Sequence, residues 1–309
     1  MDAVAEKFLI GALVPGAAAT VMFGLTWLGT PRRGTPQPPL SGVSPEQVLP
    51  DDATSGFDWR SLVPPVVLTG ALAFAMIAIT GGFSLAPTDS FGRLTFVVLA
   101  AGLSGLLAAA APGPVARGVV AALLTAGTAA LAGAMLKLGV LESALLAATS
   151  VAVLAGLTLS LHGRGVLSPL FVWVLGVSAS QVLLLGFGSL RLGLLLHCIA
   201  AAAGGAIVVS LLWPRLKLGI GAAVVLAGIL PAIFLQALRF GGEDAPLWVR
   251  ITAMSLLGLT PLVFGLARKA IRPKSELLAG TLALVVGGIP AATALGLCLW
   301  AWLQISGDV

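Results

Sequence analysis

The chain has 309 residues, 58% hydrophobic and 9% charged, which leaves too few polar side chains to cover a water-soluble globule of this size. Its basic excess, 17 Lys and Arg against 12 Asp and Glu, does not point to nucleic acid. The charges fall in short gaps between apolar runs, where they act as topology signals and contacts to membrane lipids. Only Cys198 and Cys298 are present, both inside apolar runs, so neither a disulfide framework nor zinc-ligand spacing is available.

Ten apolar runs predict an all-α, polytopic helical bundle forming a single transmembrane domain over residues 1–309. The first run, 8–29, follows Lys7 and is read as a span rather than a cleaved leader, with Pro15 as a helix break. Residues 30–60 form the one long polar segment. Its prolines, Arg32, Arg33 and the group Asp51, Asp52 and Asp58 exclude a span, and its apolar content is too low for a folded domain. Within it, Ser44-Pro45-Glu46-Gln47 has the form of a helix start, able to dock a cytoplasmic partner, lie on headgroups or remain a plain surface loop.

Spans follow at 62–82, 94–111, 118–136 and 143–161. Pro64-Pro65 opens the first of these, and Pro112-Gly113-Pro114 ends the second. A hydrophilic turn at 162–165 leads into spans 166–188 and 192–213, joined by a turn at 186–188. The run 192–213 sets the format: its only titratable groups are His197 and Cys198, and twenty-two residues rise about 33 Å, enough for the hydrocarbon core. Spans 218–238, 251–267 and 277–303 complete the ten, with Pro231 and Pro290 read as further breaks.

Alternation of ten spans places 11 of the 17 basic residues on one side, among them Arg117, Arg215 and the 268–274 group. The positive-inside rule makes that side cytoplasmic, with the 30–60 loop inside and both termini outside. The expected location is a bacterial inner (plasma) membrane. Trp248, Trp300 and Trp302 fall near the opposite boundary, as interfacial indoles do. Five spans on each side of a midpoint near Gly163 also permit an inverted repeat.

Candidate chemistry is sparse. Ser178, Ser180 and Gln181 on the sixth span and His197 on the seventh lie at similar depth across a short turn. They bind substrate or accept a proton, or else they only hold the hairpin together. His162 lies too far from His197 to form a metal pair, and no cofactor, metal-binding or nucleophile motif occurs. Lys137, Glu142, Arg239 and Arg250 stand at span ends, from which long side chains reach water.

Pairs of small residues four apart, Ala101/Gly105, Ala129/Gly133, Ala201/Gly205 and Ala283/Gly287, offer flat strips for close helix packing. Two functions follow as expectations. One is transport of a small uncharged or amphiphilic substrate. The other is a non-catalytic membrane subunit that docks a larger assembly, including other integral membrane subunits, through its Ala/Gly faces and the 30–60 loop. An intramembrane enzyme ranks third.

Overall fold

A computed structural model describes residues 3–28, 59–85, 87–161, 165–213, 216–242, 245–271 and 276–307. These form ten α-helices in chain order: α1 (Ala3–Leu28), α2 (Val63–Thr80), α3 (Ser90–Ala110), α4 (Pro114–Met135) and α5 (Val140–Leu161), then α6 (Leu167–Phe187), α7 (Leu190–Leu212), α8 (Gly219–Phe240), α9 (Leu247–Ala270) and α10 (Glu276–Gly307). Nine are long and apolar enough to cross a membrane, and α1 adds a shorter apolar stretch, Leu13–Thr26. The chain is a polytopic helical membrane protein. The Ser44 to Gln47 helix start, most of the 30–60 loop, His162 and Gly163 lie outside the described residues.

Local chemistry sets the helix ends. Pro64 and Pro65 occupy the first turn of α2, where a missing N–H costs nothing, and Gly81 ends the helix at φ 76°, its N–H bonded to Ile77 O at 2.9 Å. Asp89 caps α3 by accepting from Gly92 N at 3.1 Å. The α6–α7 connection is shorter than the sequence predicts: Gly186 and Phe187 stay helical, and Gly188, at φ 57°, turns the chain.

Pro15, Pro231 and Pro290 do not break their helices; each sits inside a continuous helical run, as does Pro261 of α9. A proline removes one backbone donor, and packed neighbours hold the helix on both sides of that single gap.

Helix α8 is the axis of the bundle. It packs against α2, α3, α4 and α5, and every residue from 221 to 234 is buried. Of its most apolar stretch 83% is buried, against 28% for α10, which places α8 inside and α10 at the rim. A second group surrounds α7 with α1, α2 and α6, and α9 lies between α5 and α10. Helices α3 and α8, equivalent in a five-plus-five division, pack on each other but differ in enclosure.

Each of the four small-residue strips seats a helix of this same chain. A Cβ on Gly105 would stand 2.7 Å from Gly221 O, and one on Gly133 would stand 2.5 Å from Ser143 Oγ. On Gly205 it would meet Gly16 O at 2.7 Å, and on Gly287 it would meet Phe264 Cβ at 2.5 Å. The strips thus build the α3–α8, α4–α5, α1–α7 and α9–α10 contacts.

Two ends of the bundle are distinguishable. At one, Arg93 and Arg239 reach the last carbonyls of α4, and Arg250 lies against the end of α6. At the other, Arg117 Nε donates to Ala111 O at 2.7 Å and Arg268 Nη1 to Ser160 O at 3.1 Å. Trp248 and Trp300, ring centroids 6.3 Å apart, share the first end.

Gly105→Val should destabilise the detergent-solubilised protein by about 2 kcal/mol, because the branched side chain separates two backbones in contact. Gly118→Ala, where a Cβ meets nothing within 4 Å, should leave the melting temperature unchanged.

Candidate functional site

A depression of about 500 Å³ opens at the Arg93 end of the bundle. It lies between the α2–α3 connection and the start of α7, in the size range of small-molecule sites. Its walls include Thr80, Ser84, Thr88, Asp89 and Arg191, and Thr95 of α3, the one buried lining residue, forms its floor. Phe83 packs on Phe96 with ring centroids 6.2 Å apart and holds the connection over α3. Asp89 is committed through one oxygen to the α3 cap, so this vestibule presents one cation, one partly engaged carboxylate and several hydroxyls.

The predicted hairpin site is a different place. Gly176 faces Ala200 and Gly193 faces Leu184, which sets an antiparallel register between α6 and α7. That register brings Gln181 and His197 to one level of the seam, both half-buried. Ser180 is buried and donates to Gly193 O at 2.9 Å, so its hydroxyl clips the hairpin together; Ser178 is half-buried beside it. At 100° per residue, His197 lies about 120° around α7 from Arg191, so the vestibule and the hairpin seam open on different sides of that helix.

Charged residues at this end hold helix termini. Arg93 Nη1 donates to Met135 O at 3.3 Å, and Arg239 Nη1 donates to Leu136 O and Lys137 O at 3.4 Å each. Glu142 stands 3.9 Å from Arg239 and accepts from Gly139 N at 3.1 Å. These contacts satisfy carbonyls left without partners at the end of α4.

Arg250 departs from the sequence expectation of a side chain reaching water. It is 7% exposed, donates to Gly242 O at 3.0 Å and lies 5.6 Å from the Phe187 ring centroid. The Gly242 N–H in turn bonds Phe187 O at 2.8 Å, so Gly242 lies against the end of α6 beside the guanidinium.

A polar seam also runs inside the bundle. Ser104 Oγ and Thr128 Oγ1 lie 3.1 Å apart, and Thr128 donates to Leu124 O at 2.9 Å. Thr125 Oγ1, Ser150 Oγ and Gln236 Oε1 are buried without hydrogen-bond partners. Serine and threonine are common in apolar helices, so only their burial and lack of partners distinguish these. Among the described residues no three of His, Cys, Asp and Glu converge as a metal-binding group. Cys198 and Cys298 are buried and not joined in a disulfide, and Cys298 packs against Gly186.

No protein-family model matches the chain, and no curated protein is significantly similar to it.

Arg250→Met should cost about 2 kcal/mol in thermal unfolding, since Gly242 O loses its donor and the ring contact disappears. Arg191→Ala, at an exposed position, should leave the unfolding temperature within error of the parent.

Proposed function

We propose that the chain is a membrane transport protein for a small uncharged or amphiphilic solute, and that the vestibule is its entry site. The observation that carries this reading is the polar depression itself, lined by Arg191, Asp89 and hydroxyls at the end of an otherwise apolar bundle. Opposite charges on its walls suit a dipolar or amphiphilic headgroup better than a net ion. The described interior supports the same class of cargo, because its buried polar side chains away from the helix ends are hydroxyls and the Gln236 amide rather than carboxylates or amines.

The alternative, a scaffold subunit docked through Ala/Gly strips, loses its main surface. All four predicted strips already seat helices of the same chain. The exposed apolar side chains of α4 and α10 are what lipid contact requires of rim helices.

The test is uptake by proteoliposomes of a panel of zwitterionic, polyol and short-chain amphiphilic solutes. At least one should accumulate, and Arg191→Ala should reduce its uptake about tenfold or more while protein abundance stays level. Absence of uptake across the panel, or uptake indifferent to Arg191→Ala, overturns the assignment. In the same assay His197→Ala and Gln181→Ala separate the roles of the hairpin pair. Transport lost at unchanged abundance assigns them to the solute path, and parallel loss of both assigns them to holding α6 on α7.

Orientation follows the basic-residue bias. In a cysteine-free background, single cysteines at Arg117 and Lys217 should be labelled only from the cytoplasmic side, and those at Lys137 and Arg191 only from outside. The reverse pattern inverts the topology.

A further inference from the structure

We propose that the core between α4, α5 and α8 binds a small monovalent cation of sodium size through uncharged oxygens. Thr125 and Ser150 are each 0% exposed, and neither hydroxyl has a hydrogen-bond partner. The contact of Gly133 with Ser143 fixes the antiparallel register of α4 and α5. Eight residues back along α4 and seven forward along α5 reach Thr125 and Ser150 at one level, about 11 Å deeper in the bundle.

Helical phase places both on the buried faces of their helices. Thr125 is the midpoint of the buried arc of α4, between Thr128, which bonds Ser104 of α3, and Gly133, which meets α5. Ser150 continues the face of α5 that begins at Ser143, about 120° around the helix from Gly156, which packs on α9. Helix α8 supplies the third wall, since it packs against both α4 and α5.

Pro231 adds an oxygen to that wall. It lies inside α8 and has no N–H, so the carbonyl of Ala227, one turn earlier, has no intrahelical donor. Gly228, the residue after Ala227, touches Ala101 of α3 and Thr128 of α4. In depth along the bundle, the carbonyl, the two unpartnered hydroxyls and the spare lone pairs of Ser104 and Thr128 lie within about one helical turn of each other.

The donor set selects the ion class. Calcium and magnesium sites depend on carboxylates or retained waters, and none of these side chains is acidic. Hydroxyls and a carbonyl freed from a helix are the ligands that membrane helices present to monovalent cations near the bilayer midplane.

Ion binding by purified protein needs no transported solute, so this proposal stands or falls separately from the transport reading. Thermal unfolding of the full chain in detergent is compared in sodium, potassium and choline chloride at equal ionic strength. Sodium should raise the melting temperature by about 2–4 °C over choline, saturably with concentration. Thr125→Val and Ser150→Ala should abolish the increment, and Thr125→Ser should retain it. Pro231→Ala restores the donor for Ala227 O, so it should raise the melting temperature in choline and shrink the sodium increment. Identical melting temperatures of the parent protein in all three salts overturn the proposal. So does an increment unchanged in Thr125→Val and Pro231→Ala, or hydroxyl variants that alter stability equally in every salt, the pattern of a buried water alone. If Thr125→Val does not fold, the Pro231→Ala comparison and the parent salt series decide.

Discussion

The backbone contact between Gly105 of α3 and Gly221 of α8 is the constraint from which the arrangement follows. A Cβ added to either glycine would stand within 2.8 Å of the other's carbonyl oxygen, so neither position leaves room for a side chain. In lipid, helices gain little from hiding apolar surface from one another, and close packing of this kind supplies much of what holds them together. With α3 seated on α8, the contacts of Gly133, Gly205 and Gly287 place α4 beside α5, α7 beside α1 and α10 beside α9. The result is an enclosed helix surrounded by helices that each keep one face for lipid.

Charge is confined to the ends of this bundle, where it has a second use besides orientation. Arg93 and Arg239 converge on the end of α4, Arg268 serves the end of α5, and Arg117 binds the carbonyl that follows α3. A helix end in low-dielectric surroundings leaves carbonyls that water reaches poorly, and a guanidinium with several donors satisfies them while completing the helix dipole. Arg250 extends the same logic inward by bonding Gly242 O and covering the Phe187 ring. Between these ends the described interior relies on hydroxyls and amides, which limits its chemistry to hydrogen bonding and oxygen coordination.

Much of the architecture was legible in the residues. Apolar runs of bilayer length located ten helices, and Ala/Gly pairs four apart marked faces that prove to be helix contacts. Pro64-Pro65 and Pro112-Gly113-Pro114 marked real helix boundaries. The prolines inside helices misled, because one missing donor does not end a helix that neighbours support. The vestibule was not legible: Gly81, Ser84 and Asp89 have the composition of any connector, and they form a site only when folded against Arg191. Burial of Arg250 was equally hidden, since it depends on Gly242 lying against the end of α6. Gln181 and His197 lie at one level because α6 and α7 are antiparallel neighbours, but depth alone could not separate their seam from the side of α7 that bears Arg191.

The enclosure of α8 has a consequence for biosynthesis. The eighth helix is made after the four that surround it, so when α5 has left the ribosome the walls exist and their occupant does not. The contacts that enclose the α3 face bearing Gly105 are therefore completed only by a helix made three elements after α5, so the innermost packing of the bundle joins distant stretches of chain.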